Sequence, residues 1–230
     1  RKCSTSGVFL SKILAKSSNR LNSTASSING LLINSSASSF VKGPPWTFRE
    51  SFEEANVLYA NDKSSKSHIS LKRLKNLSNW REKFNDNHAS MIDFASNEDL
   101  IFSTKNLIPF AHWITPEKMP KRFDTRFYIA EAPKDHEGEH DGTESVDSIW
   151  ISPQQALDDC YSKKRTIIFP TRLNLEKLSK SNTVEEALEN ARNSKIATVT
   201  PSISKIEGEA FLTIPEKAGY GLIKEPLKNL

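Results

Sequence analysis

Arg49-Glu50-Ser51-Phe52-Glu53-Glu54-Ala55-Asn56 sets three carboxylates at i, i+3 and i+4 behind an arginine. Residues three and four apart share one face of a helix, so Glu50, Glu53 and Glu54 point the same way. Like charges so placed repel, and an ordinary helix gains nothing from crowding them. A divalent cation reverses that cost, because a cluster of hard oxygen ligands is what Mg²⁺ or Mn²⁺ requires. Phe48, Phe52, Ala55 and Tyr59 recur at helical spacing on the other side. The stretch therefore reads as a helix over residues 46–60 with one face in a core and one face for metal. A solvated helix face is the alternative reading of the same pattern.

Working upstream, Gly43-Pro44-Pro45 breaks the chain just before this helix, and proline is tolerated in a first helical turn. Residues 1–42 form a basic, Ser/Asn-rich low-complexity arm, and residues 43–230 the domain proper. Residues 1–48 hold Arg1, Lys2, Lys12, Lys16, Arg20 and Lys42 and no acid. Taking those six charges from the net +4 leaves −2 for the rest, so the domain's charge gives no warrant for a nucleic-acid partner. The run Val8-Phe9-Leu10-Ser11-Lys12-Ile13-Leu14-Ala15-Lys16 has the pattern of a basic amphipathic helix, as in an organellar transit peptide. A disordered arm is the alternative. The expected location is cytoplasmic, with a mitochondrial or peroxisomal address as the alternative.

Downstream, residues 61–67 are polar linker. Leu71, Leu74, Leu77, Trp80 and Phe84 then recur at three- to four-residue steps with Lys and Arg between them, predicting one amphipathic helix with a solvated basic face. Residues 89–97 predict a short helix. From residue 107 the texture becomes strand-like: 107–114, 122–132 and 145–151, separated by a Pro-containing loop and by an acidic, glycine-containing loop at 135–143. Ser152-Pro153-Gln154-Gln155 and Thr183-Val184-Glu185-Glu186 carry capping-box spacing and open helices to about 161 and 193. A helix over 170–178 lies between them. Residues 195–204 and 209–214 close the chain as two strands about Glu207-Gly208.

The chain has 230 residues and 37% hydrophobic content, enough for one domain with a core. No apolar run nears the roughly 18 residues that span a bilayer. Cys3 and Cys160 lie far apart, so neither a disulfide framework nor a cysteine metal site is expected.

Four blocks carry a resemblance. The first is Arg49, Glu50, Glu53, Glu54 and Val57. The second is Pro109-Phe110-Ala111-His112-Trp113-Ile114-Thr115-Pro116 with Arg122-Phe123-Asp124-Thr125-Arg126-Phe127. The third runs from Asp141-Gly142-Thr143-Glu144 to Trp150-Ile151-Ser152-Pro153, and the fourth is Pro170-Thr171-Arg172 with Leu175 and Leu178. In this order they resemble the Nudix hydrolases, and within them the branch of the acyl-coenzyme A diphosphatases. Two departures stand out. Asn56 replaces a glycine, a mild change because Asn is the next-best left-handed residue. Val41 and Ser35 stand where the upstream half of the Nudix motif has a glutamate and a glycine.

The resemblance implies an α/β fold: an α/β/α sandwich around a mixed sheet, with inserted helices and an incomplete amino end. It implies hydrolysis of a diphosphate linkage in a small molecule, a coenzyme A derivative or nucleoside diphosphate compound, with Mg²⁺ or Mn²⁺. Glu50, Glu53 and Glu54 are the expected metal ligands, with Glu144 as a fourth candidate or base. Glu50, Glu53 and Arg49 are the expected catalytic residues, Arg49 through an i,i+4 pair to Glu53 or a contact with the phosphate loop. Arg122 could meet a phosphate, Asp124 could pair with Arg122 or Arg126, and His112 and Trp113 are expected to line core or pocket. No membrane partner is expected. In residues 1–48 the only strand-like apolar runs are Val8-Phe9-Leu10 and Gly30-Leu31-Leu32-Ile33, neither ending in the glycine-pair loop that the resemblance implies, and the sheet edges so exposed could be covered in a homodimer. A catalytically impaired binding module is the alternative function, and a helical interaction protein using residues 71–84 a third.

Overall fold

The computed structural model describes residues 8–14, 24–28, 33–37, 44–86, 88–117, 119, 122–133, 136, 138–139, 145–221 and 223–227. Helix α1, Pro44–Ala55, contributes residues to two core clusters. Its Phe48, Phe52 and Ala55 are all at most 1% exposed, as their helical spacing requires. The helix ends five residues earlier than expected because Asn56 takes φ of 53°. Asn tolerates this left-handed conformation better than other non-glycine residues, and beyond the turn Val57, Leu58 and Tyr59 are buried in the core.

A mixed four-stranded sheet runs in the order β3 (Ile33–Ala37), β7 (Asp124–Ile129), β6 (Ile108–Ile114), β9 (Thr198–Val199). β3, β7 and β6 are antiparallel, and β9 is parallel to β6 with His112 opposite Thr198. A second sheet orders β2 (Thr24–Ile28), β1 (Val8–Leu14) and β8 (Ser145–Ile151). β4 (Ala60–Asp62) pairs with β5 (Leu100–Phe102), and β10 (Ser202–Ile206), β11 (Glu209–Ile214) and β12 (Ile223–Pro226) form a terminal antiparallel sheet.

Two expectations about the amino end are corrected. Val8–Leu14 is a strand, not a basic amphipathic helix, and it pairs with both β2 and β8. A short apolar run fits either element, and pairing to two neighbours decides it. Residues 8–37 also supply three strands where the sequence offers only two strand-like runs and no glycine-pair loop, and one of the three lies against β7. Strand β7 is shorter than expected, and Phe123 outside it is 37% exposed.

The inserted helices are α2 (Leu71–Asn76), α3 (Ser78–Asn85) and α4 (Met91–Asn97). The single helix expected over 71–84 is broken at Leu77, whose N–H reaches the Leu74 carbonyl at 3.0 Å, an i−3 bond that tightens the turn. Its apolar face nonetheless packs as one: Leu74, Leu77, Trp80 and Phe84 join Phe52 of α1 and Phe94 of α4. Phe52 stacks on Phe94 at 5.3 Å and meets the edge of Phe84 at 6.3 Å.

Helices α5 (Pro153–Tyr161), α6 (Phe169–Leu178) and α7 (Val184–Asn193) share a core with β6 and β7, built from Phe110, Trp113, Phe127, Ile129, Leu173, Leu175 and Leu188. Ser152 and Thr183 cap α5 and α7 by accepting from Gln155 and Glu186 backbone N–H groups. The reciprocal half of each box goes elsewhere: the Gln155 amide donates to Asp159, and the Glu186 carboxylate accepts from the Asn182 N–H.

Candidate active site

The carboxylate face of α1 is less exposed than its charge would suggest. Glu50 and Glu53 are half-buried and Glu54 is only 4% exposed. A carboxylate in that position must be compensated by partners. For Glu53 the partner is Arg49, one turn earlier, whose Nε donates to Oε2 at 2.8 Å, both side chains being 14% exposed. The Arg49 guanidinium also donates to the Phe84 carbonyl at 2.6 Å and stands 5.5 Å from the Phe84 ring. Arg49 thus fixes the Glu53 side chain and ties α1 to α3.

Arg81 adds a second tie. Its Nε donates to the Glu53 carbonyl at 3.0 Å and its terminal nitrogen to the Glu139 carbonyl at 2.9 Å. The basic face of residues 71–84 is therefore divided: Lys72 and Lys75 are exposed, whereas Arg81 secures α1 and Arg73 bonds the Glu98 carboxylate at 2.8 Å.

Glu139 closes the far end of α1, and His136 meets the chain just beyond it. The Glu139 N–H donates to the Ala55 carbonyl at 2.8 Å, satisfying a terminal carbonyl that the helix leaves without a partner. The Asn56 amide reaches the Glu139 carboxylate at 3.4 Å. The Leu58 N–H donates to His136 Nδ1 at 3.4 Å, which places the proton of a neutral His136 ring on Nε2. The His136 ring packs edge-on to His68 at 5.3 Å. A cleft of about 500 Å³ opens beside it, lined in part by Tyr59, His68, Asn106, Glu131, His136 and Arg192. Sequence reading missed Arg81, His136 and Glu139. Only the acidic, glycine-containing composition of 135–143 marked that segment, and composition does not say what it will touch.

The other expected residues are placed as follows. Asp124 does not pair with Arg122 or Arg126: its carboxylate meets His112 Nε2 at 2.6 Å, and His112 Nδ1 meets the Thr198 hydroxyl at 2.8 Å. The cross-strand register makes this pairing, because Ile114 lies opposite Asp124 and His112 stands two residues before it, on the same face of β6. Arg122 donates to the Thr115 carbonyl at 3.1 Å. Trp113 is 3% exposed, as expected of a core residue, and its indole N–H points to Asn174 and Tyr220. Glu144 lies outside the described residues.

Can these residues hold a metal? Among the described residues no three His, Cys, Asp or Glu side chains converge for one. Mg²⁺ commonly keeps several waters and takes one or two carboxylates besides substrate phosphates. Glu50 and Glu54, one turn apart on the same face, fit that donor number and that oxygen chemistry.

Comparison with known proteins agrees with this architecture. A family model described as the NUDT19 Nudix domain matches residues 46–178, from α1 to the end of α6. The crystal structure of a NUDIX hydrolase from Alicyclobacillus acidocaldarius superposes with a TM-score of 0.57 at 16% identity, over 82% of this chain and 90% of that one. At that identity the likeness concerns the fold.

Proposed function

This chain belongs to the Nudix hydrolase superfamily, and from that premise we propose that it is a metal-dependent hydrolase of diphosphate linkages in a coenzyme A derivative or a nucleoside diphosphate compound. The observation that carries the reading is the glutamate face of α1, half-buried and braced by Arg49 and Arg81. Bracing of this kind lowers the cost of organising a site at the moment of reaction.

Glu50 and Glu54 are the residues to hold Mg²⁺ or Mn²⁺, with Glu53 beside them and Glu144 as a further candidate. The ion, once bound, would neutralise diphosphate oxygens and lower the pKa of a bound water. A carboxylate not fully engaged with the metal, Glu50 or a loop glutamate, would accept the proton of the attacking water. Arg49 acts as a positioning residue: with its guanidinium committed to Glu53 and to the Phe84 carbonyl, it keeps the Glu53 carboxylate in one rotamer. Val41 and Ser35, standing in place of the motif's glutamate and glycine, favour a second reading, a catalytically impaired binding module.

The deciding experiment is turnover of a panel of coenzyme A and nucleotide diphosphates with added Mg²⁺ or Mn²⁺. Product release by the wild type that falls at least about a hundredfold in Glu50→Gln supports the hydrolase. Wild-type release at background, equal to that of Glu50→Gln, sinks it and leaves the binding module.

A further inference from the structure

A second constellation lies away from α1, between the ends of α6 and α7. Lys177, in the last turn of α6, is half-buried. Its ammonium stands 4.8 Å from the centre of the Phe110 ring and 5.7 Å from that of Tyr220, and it donates to the Phe110 carbonyl at 3.4 Å. Lys180 follows three residues on and is exposed. Among the described residues neither lysine has a carboxylate within ion-pair distance.

Both lysines line a cavity of about 210 Å³ together with Ser181, Asn190 and Ser194. Among the described residues no acid contributes to its wall. Burial lowers the Lys177 pKa, and the Lys180 charge lowers it further. Two like charges, one of them half out of water, stand here without a counter-charge. The terminal carbonyls of α6, and those of α7 whose last turn also lines the cavity, offset part of this positive charge. A bound anion would relieve the rest.

The remaining polar groups say what shape of anion. The Asn190 amide donates to the Ser181 hydroxyl oxygen at 3.1 Å, which leaves the Ser181 hydroxyl proton to be donated. The Ser194 hydroxyl is committed to the Asn190 carbonyl at 2.5 Å. Two point-charge ammonium groups and one hydroxyl are three separate donors. They suit a tetrahedral oxyanion with several acceptor oxygens better than a planar carboxylate, which matches the fork of an arginine. The cavity is smaller than the roughly 300 Å³ at which whole-ligand pockets begin. It has room for one group of a ligand, the remainder projecting outward.

We propose that the cavity between α6 and α7 is a binding site for the phosphate group of a small phosphorylated molecule, held by Lys177, Lys180 and Ser181. No residue of α1 lines it, so it is distinct from the glutamate face. The inference does not rest on the hydrolase reading.

The test is calorimetric titration of the whole chain with inorganic phosphate at fixed ionic strength in EDTA, with sodium chloride and sodium acetate titrated alongside. The expected result is saturable phosphate binding, weakened at least about tenfold in Lys177→Met/Lys180→Met and severalfold in Lys180→Met. Methionine keeps an apolar stem against the Phe110 and Tyr220 rings, and exposed Lys180 can be replaced without threatening the fold. Phosphate heats no different from chloride would overturn the proposal, as would unchanged affinity in Lys180→Met. Acetate binding as tightly as phosphate would overturn the assignment of the ligand.

Discussion

Replacing Arg49 by leucine removes its bonds to the Glu53 carboxylate and the Phe84 carbonyl and keeps most of the side chain's apolar volume. The pair with Glu53 at 2.8 Å is only 14% exposed on each side. Exposed i,i+4 pairs contribute about 0.3–0.5 kcal/mol, and hydrogen bonds to charged groups about 1.5–3 kcal/mol. A half-buried pair falls between, near 1 kcal/mol. The bond to the Phe84 carbonyl at 2.6 Å belongs to the lower end of the charged range, because that carbonyl also accepts from the Asp86 N–H. Together they predict a loss of about 2–3 kcal/mol. With a urea m-value of about 2–3 kcal/mol/M, the unfolding midpoint falls by about 1 M, read from tryptophan fluorescence. A double-mutant cycle with Glu53→Gln isolates the ion pair and should return about 1 kcal/mol of coupling. Arg49→Lys should lie between, because an ammonium lacks the fork that serves both acceptors. A loss below about 0.5 kcal/mol, or zero coupling to Glu53, would refute the claim that Arg49 braces the glutamate face.

Other expectations follow from the same geometry. Phe52→Ala, at a position 0% exposed between Phe94 and Phe84, should cost about 3–5 kcal/mol in urea unfolding, and Phe52→Leu clearly less. Asn56→Gly should be tolerated at φ of 53°, whereas Asn56→Val should cost about 1–2 kcal/mol in the same assay. Burial pushes the Tyr220 hydroxyl up from 10.0 to about 12. The folded state then holds a proton that the unfolded state releases, so this contribution is complete below pH 10.0 and is lost as pH rises towards about 12. Tyr220→Phe should flatten the fall of stability across that window, and an unchanged slope in thermal melts would contradict the burial argument.

The parts of the fold that could be read from sequence are those fixed by local rules. Ser152-Pro153 opens α5 where its capping pattern says, and Thr183 opens α7 likewise. The apolar stripe of Phe48, Phe52 and Ala55 is buried as its spacing demands. The left-handed Asn56 was legible from the glycine it replaces, although the helix end it imposes was placed too late. Where partners far along the chain decide, the sequence is silent. Val8–Leu14 has apolar residues that suit a helix, yet β2 and β8 make it a strand. Leu71, Leu74, Leu77 and Trp80 fall at steps of three, shorter than the 3.6 of a straight helix, and a break at Leu77 absorbs the mismatch. Of the candidate site, the carboxylates and the Arg49–Glu53 pair could be named beforehand. The long-range ties could not: Arg81 reaches Glu53 from 28 residues away, His136 reaches Leu58 from 78 and Glu139 reaches Asn56 from 83.

The central claim is that the glutamate face of α1 serves metal-dependent diphosphate hydrolysis. Its most direct test is Mn²⁺ binding, followed by water-proton relaxation or electron paramagnetic resonance, in the wild type and in Glu50→Gln/Glu54→Gln, with thermal melts confirming that both are folded. The account predicts a site in the wild type that the double variant loses, in step with loss of diphosphate turnover. Equal Mn²⁺ binding by the two folded proteins would contradict it.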